Sequence, residues 1–118
     1  MRIILRCNRY TPISLMLECL EWRSVQASLK FSTLTFVFKI LNGLLPQYLY
    51  NYITFNNEIH NYSTRNSDNI HIRKTNFKKS MNCLFFKCFN EYNSLPTEIK
   101  HCISLPMFKQ RLSVFLSQ

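Results

Sequence analysis

The stretch SVQASLKFSTLTFVFKILNG, residues 24–43, decides the fold of this chain. Ser24 is a suitable N-cap, because its hydroxyl can accept a hydrogen bond from a backbone N–H of the first helical turn. Residues 31–41 are apolar on nearly all sides and contain β-branched residues, which leaves a strand open as an alternative. The length of the stretch and the lack of a central breaker favour a buried helix. The chain then turns at Asn42 and Gly43, because glycine tolerates the left-handed conformation that ends helices. The face of this helix that we expect to pack comprises Val25, Leu29, Leu34, Phe38 and Leu41.

Two shorter helices are predicted on either side of this segment. Thr11 and Pro12 indicate a helix start, with Thr11 as the N-cap and Pro12 at the first helical position. Apolar residues then recur at helical spacing until the helix ends near Trp22. After the turn at Gly43, a third helix is expected to begin at Pro46 and to run through residue 55.

The C-terminal third of the chain predicts two further helices and one helical turn. Ser80 is the expected N-cap of the fourth helix, which presents a broad aromatic face. Pro96 turns the chain, and a short helical turn follows over residues 97–101. Ser104 caps the last helix, with Pro106 in its first turn. An amphipathic stripe runs along this last helix through Leu105, Phe108, Leu112 and Phe115.

The domain organisation that these patterns predict is a mainly α protein, a small bundle of about five helices. Residues 1–10 form a basic lead-in, and residues 11–118 form a single helical domain, since 118 residues hold one domain at most. A long basic loop spans residues 56–80, with a possible short strand or hairpin within residues 60–80. The alternation Ile-His-Ile-Arg at residues 70–73 favours a short strand or an extended clip there. Nowhere does the sequence contain eighteen consecutive apolar residues, so no membrane span is expected.

The charge of the chain points to a phosphate-rich partner. The net charge is +9 and the pI is near 9.6, a balance that suits nucleic acid. Besides the N-terminal arginines, the cations concentrate in the long loop, where Phe77 lies between basic pairs and is placed to stack on a base. A basic loop that is merely solvated remains the alternative interpretation. The candidate nucleic-acid-binding residues are Arg65, Arg73, Lys74, Lys78 and Lys79.

The acidic residues are too few and too scattered for metal-dependent polymerase chemistry. Two-metal polymerases need several clustered carboxylates, and Asp68 is the only aspartate among six acids. The Tyr-x-Asp-Asp motif of reverse transcriptases is absent, and Gly43 is the only glycine, so there is no glycine-rich phosphate loop. The sequence therefore predicts no catalytic residue and no cofactor.

The cysteines are interpreted as free thiols. Their number is five, an odd count, and no Cys-x-x-Cys pair occurs, so we predict no metal site. A structural zinc site is the minority alternative. A thiol catalyst is also left open, because Glu91 and His101 lie near Cys88 and Cys102 in the sequence. In a reducing compartment, free cysteines pack as small apolar groups.

Four phrases in a fixed order carry a resemblance to a known family. They are KILNGLLPQYL at residues 39–49, Thr64 followed by Arg65, YNSLPTEI at residues 92–99, and FKQRL at residues 108–112. Together they resemble the far C-terminal region of the reverse transcriptase polyprotein of jockey-like non-LTR retrotransposons. The resemblance covers nearly the whole chain. This sequence departs from the family pattern at Tyr92, where the family usually has tryptophan.

The resemblance implies a non-catalytic segment of an RNA-directed DNA polymerase. Its expected partners are RNA or DNA, contacted through phosphate, and the upstream polymerase domain of a longer parent protein, in which Met1 would be internal. Its expected location is intracellular, nuclear or cytoplasmic. An independent basic helical adaptor that binds protein or nucleic acid is the alternative. The aromatic residues of these motifs are expected to be core anchors: Trp22, Tyr48, Phe86, Tyr92 and Phe108.

Overall fold

The fold is mainly α, as the sequence predicts. The structure is a computed structural model that describes residues 1–59, 65–81 and 83–117. Within these residues the chain forms nine helices and no named strand, so the prediction of about five helices is too low because short helical turns separate the longer elements. In chain order the helices are α1 (Arg2–Leu5), α2 (Ile13–Cys19), α3 (Val25–Leu41), α4 (Gln47–Tyr50), α5 (Asn56–Ile59), α6 (Lys78–Met81), α7 (Leu84–Asn93), α8 (Thr97–Lys100) and α9 (Leu105–Ser117).

The longest helix, α3, begins and ends where its sequence signals predict. The hydroxyl of Ser24 accepts a hydrogen bond from the backbone N–H of Ala27 at 3.1 Å, which satisfies one of the free donors of the first turn. At the other end, the Asn42 amide donates to the carbonyl of Phe38 at 2.8 Å. Gly43 follows with a φ of +66°, a conformation that a side chain would strain. The strand alternative for residues 31–41 is therefore wrong.

The hydrophobic core forms where α3 packs against α9 and α7. The rings of Phe38 and Phe108 stack with their centroids 4.2 Å apart and their planes inclined by 18°. Both rings are fully buried, as is Leu112 one turn further along α9. Burying side chains of this size is the main source of stability in a domain of this length. The remaining members of the buried cluster are Leu34, Val37, Ile40, Ile53, Ile70, Cys88, Phe89, Tyr92, Leu95, Ile99 and Cys102.

The predicted third helix is much shorter than its sequence indicates. It was expected to run from Pro46 through residue 55, but α4 ends at Tyr50. Residues 54–57 instead engage the long loop, because Phe55 forms an isolated antiparallel bridge with Ile70. A backbone that pairs across to another segment cannot also continue the α4 hydrogen-bond ladder.

Two predicted N-caps are wrong by a few residues. Pro12, not Thr11, occupies the N-cap position of α2. Ser80 lies inside α6, and α7 begins later, with Cys83 at its N-cap position. Lysine is a good helix former, and the pair Lys78 and Lys79 starts a separate turn before α7. The C-terminal predictions agree better, because α8 follows Pro96 and the backbone N–H of Phe108 bonds the carbonyl of Ser104 at 3.0 Å.

Not all of the aromatic anchors expected in the core are buried. Tyr92 and Phe108 are buried and Phe86 is half-buried, but Trp22 is 51% exposed and Tyr48 is 63% exposed. The buried residues of α3 all lie in its C-terminal half, whereas Val25 and Leu29 in its first half are exposed. The radius of gyration is 17.8 Å, against about 13.5 Å for a compact chain of this length. The exposed aromatic and apolar residues of the N-terminal part include Trp22, although Met16 of α2 is buried.

Candidate nucleic-acid interface

Residues 54–57 and 67–71 form a hairpin-like pairing at the start of the basic loop. The N–H of His71 donates to the carbonyl of Thr54 at 2.7 Å, and the N–H of Asn56 donates to the carbonyl of Asn69 at 3.1 Å. Between these two bonds lies the single antiparallel bridge of Phe55 with Ile70. Of the short strand or extended clip predicted at residues 70–73, only Ile70 is in a β-bridge. The predicted loop also contains α5 and the beginning of α6, and residues 60–64 lie outside the described residues.

Asn93, at the C-terminal end of α7, fixes this pairing to the core. The N–H of Ile70 donates to Asn93 Oδ1 at 2.9 Å, and Asn93 Nδ2 donates to the carbonyl of Ile70 at 2.8 Å. The side-chain amide thus satisfies both backbone groups of a buried residue, as a neighbouring strand would. This residue has no signal in its helical periodicity, and only its place in the motif at residues 92–99 marks it.

Lys100 adds a second link between the loop and the helices. Its Nζ donates to Asn69 Oδ1 at 3.1 Å and to the carbonyl of Asn93 at 2.8 Å. Burial lowers the pKa of this ammonium group, and the nearby Asp68 carboxylate acts in the opposite direction. Lys100 is not predicted as a site residue by its sequence position, because a lysine at the end of a helix is usually a solvated surface residue.

The predicted cations are all exposed, and the structure distributes them over three local settings. Arg65 lies just before the paired residues 67–71, Arg73 and Lys74 lie in the segment after the bridge, and Lys78 and Lys79 lie in α6. Thr64, the other member of the Thr-Arg motif, lies outside the described residues.

Phe77 immediately precedes α6 and is 75% exposed. A phenyl ring this exposed between cations buries almost no apolar surface within the domain, so packing does not account for it. The ring is instead available to stack on a flat, apolar group such as a base. The residues around it are therefore arranged as a basic segment with an aromatic side chain at its surface.

The motif residues converge in space although they are far apart in the sequence. Asn42, Arg65, Tyr92 and Thr97, from three of the four phrases, line one cavity beside the hairpin. The fourth phrase reaches the core through Phe108, which stacks on Phe38 directly before the first phrase. The order of the phrases thus corresponds to one connected region of the fold.

The surroundings of Cys88 disfavour a reactive thiolate. Cys88 is fully buried, and its pKa is raised to about 11, first by burial and then by the Glu91 carboxylate. A thiol with this pKa stays protonated near neutral pH. Across residues 1–59, 65–81 and 83–117, the histidine, cysteine and acidic side chains form no group of three or more that could hold a metal ion.

Comparisons with known proteins supply no function for this chain, so its function is inferred from its own residues. No family model matches the sequence, and neither a curated protein nor a solved structure shows a significant match. In the part of the chain that the structure describes, every helix is too short or too polar to cross a bilayer.

Replacing Asn93 with alanine is expected to lower the free energy of unfolding by about 1–3 kcal/mol, because the backbone donor and acceptor of Ile70 lose their partners. Amide hydrogen exchange at Ile70 should accelerate more than exchange in α9. Asn90→Ala is the matched control, since its amide makes one exposed bond to the carbonyl of Phe86. Equal effects of the two substitutions would show that Asn93 does not fix the loop.

Proposed function

We propose that this chain is a non-catalytic C-terminal segment of a non-LTR retrotransposon reverse transcriptase, which contacts RNA or DNA through phosphate in its parent protein. The observation that carries the binding part of this proposal is a set of exposed cations with an exposed aromatic ring, on a segment fixed to the core at Ile70. The family part depends on the four ordered phrases, three of which contribute residues to one cavity.

Charge supports phosphate contact as the mode of binding. The chain carries +9, and its basic segment contains few opposing carboxylates. Lysine and arginine side chains on such a segment displace counterions from a nucleic-acid backbone, which gives affinity without reading sequence. The anchored hairpin holds the first part of this segment in place, so less conformational entropy is lost on binding than in an unfolded basic tail.

The test is fluorescence anisotropy of the purified chain with labelled single-stranded and duplex oligonucleotides over a range of salt concentrations. We expect binding that is indifferent to sequence at low salt and that weakens steeply as salt increases. Undetectable binding at low salt would overturn the nucleic-acid part of the proposal. Translation of the genomic DNA upstream of Met1 tests the family part, because a Tyr-x-Asp-Asp reading frame is expected there.

Phe77→Ala is expected to weaken binding of single strands by about 1–3 kcal/mol, the contribution of one base stacked on an aromatic ring. Duplex binding should change little, because paired bases are not free to stack on the side chain. The anisotropy titrations measure both. Tyr10→Ala is the control, since Tyr10 is also highly exposed but lies far from the loop in the sequence. Equal losses for single strands and duplex would contradict a stacking role.

One observation favours the adaptor alternative. Leu29 of α3 and Leu84 of α7 are both exposed and line the same groove, of about 340 Å³, between these helices. Exposed apolar side chains in a groove are typical of a surface that contacts protein. An unrelated exon upstream of Met1, in place of a polymerase frame, would favour this adaptor over the polymerase segment.

A further inference from the structure

A cavity of about 410 Å³ lies between the C-terminal end of α3, the hairpin and α8. Its volume falls in the range of small-molecule sites and is far too small for a duplex. One part of its lining is aromatic, with Tyr50, Phe55 and Tyr92. Another part is cationic, with Arg65 and Lys100. A pocket that combines flat apolar rings with cations suits a ligand that has both a planar ring and an anionic group.

We infer that this cavity binds a single unstacked nucleotide, with its phosphate at Arg65 and Lys100 and its base against the aromatic lining. The inference deepens the proposed function, because it names the unit of nucleic acid that this region takes. It rests on the proposed function only for the source of the nucleotide. A free mononucleotide and the terminal nucleotide of a strand share the same chemistry.

The phosphate position follows from the donors that remain free. An ammonium group has three N–H donors, and Lys100 uses two of them on Asn69 and on the carbonyl of Asn93. Among the described residues the third has no hydrogen-bond partner, and a phosphate would also offset the burial that lowers the pKa of Lys100. Arg65 is exposed at the rim, where its planar guanidinium can bind two phosphate oxygens.

The charge of the lining is positive although it includes one carboxylate. Arg65 and Lys100 each carry a positive charge and Asp68 carries a negative one. With His101 counted as neutral, the lining has one formal net positive charge. Asp68 already accepts a hydrogen bond from the Ser67 hydroxyl at 3.2 Å. The cavity therefore favours an anion over a cation.

The base position follows from the rings and from the amides beside them. Aromatic side chains stack on any base, because every base has a flat π face. Side-chain amides, which can donate to and accept from a base edge, also line the cavity, although that of Asn42 already donates to the carbonyl of Phe38 and that of Asn69 already accepts from Lys100. These amides belong to Asn42, Asn57 and Asn69.

Isothermal titration of the whole chain with AMP, UMP, adenosine and inorganic phosphate tests the inference. We expect each mononucleotide to bind at least about tenfold more tightly than adenosine or phosphate alone, because both halves of the ligand contribute. Equal affinity for AMP and adenosine, or no measurable heat with any of them, would overturn it.

Substitutions at two residues that line the cavity test whether the nucleotide binds there. Arg65→Gln removes an exposed cation and should weaken AMP binding about tenfold or more. Asn57→Trp places an indole at the exposed rim and should block the cavity. Both positions are exposed, so the variants are expected to fold, which circular dichroism checks. Unchanged AMP affinity in both folded variants would show that the nucleotide does not enter this cavity.

Oligonucleotide binding distinguishes a free nucleotide from the end of a strand as the ligand. It also distinguishes failure of the cavity proposal from failure of the proposed role of the loop. Tighter binding of a 5′-phosphorylated strand than of the same strand with a 5′-hydroxyl supports the end of a strand as the source, whereas equal binding supports the free nucleotide. A variant with Gln at Arg73, Lys74, Lys78 and Lys79 should keep AMP binding and lose strand binding. Loss of AMP binding in this variant would overturn the assignment to the cavity, and retention of strand binding would overturn only the proposed role of the loop.

Discussion

Replacing Phe108 with alanine is expected to lower the free energy of unfolding by about 3–5 kcal/mol, the cost of removing a fully buried aromatic side chain. The loss has two parts. The ring leaves a cavity between α3 and α9, and Phe38 loses the ring on which it stacks at 4.2 Å. Because native domains have only about 5–15 kcal/mol of stability, this change should remove a large part of it. Urea denaturation followed by circular dichroism measures the effect.

Phe115→Ala is the matched control for this prediction. Phe115 lies on the same helix and in the same predicted stripe, but it is 39% exposed. Its removal should therefore cost clearly less than removal of Phe108. If the two substitutions had equal effects, the packing of α3 against α9 would not be the main source of stability.

The prediction of α3 from sequence succeeded because its signals are local. Ser24 and Gly43 act within one turn of their own positions, through a cap bond and a left-handed backbone. The same holds for α9, whose stripe predicted the burial of Phe108 and Leu112. Signals of this kind need no knowledge of where the rest of the chain lies.

The hairpin and its anchor could not be predicted in the same way. Asn93 and Ile70 are 23 positions apart, and their two hydrogen bonds depend on the tertiary arrangement. Beyond α4, residues 54–57 likewise bond the loop, where the sequence predicts a helix through residue 55. Local propensity is overridden in both cases by a contact that a sequence pattern does not encode.

The candidate site was predicted in part. The loop cations and Phe77 are exposed, as a polar and basic stretch predicts, and their contact with nucleic acid stays a prediction. Lys100 was missed, since its role depends on burial against Asn69 and on the cavity beside it. Trp22 shows the opposite error, because large aromatic residues are highly buried on average but this one is 51% exposed.

Replacing Arg65, Arg73, Lys74, Lys78 and Lys79 with glutamine is expected to remove most of the salt dependence of nucleic-acid binding. Each phosphate contact contributes about −0.9 to the slope of log K against log salt on duplex DNA, so five contacts contribute up to roughly −4.5. A slope of this size corresponds to a loss of affinity on the order of 10²–10³ between 50 and 200 mM salt. The variant should therefore bind weakly at low salt and respond little to added salt, as measured by fluorescence anisotropy.

The control for this variant must lose the same charge elsewhere on the surface. Glutamine at Arg2, Arg9, Lys30, Lys87 and Lys109 removes five exposed cations, so both variants carry +4 instead of +9. If the loop contacts phosphate directly, the control keeps most of the slope, because slope depends on contacts while net charge alone mainly changes the rate of encounter. If both variants lose slope and affinity equally, the attraction is a property of the whole surface and the loop is not the interface.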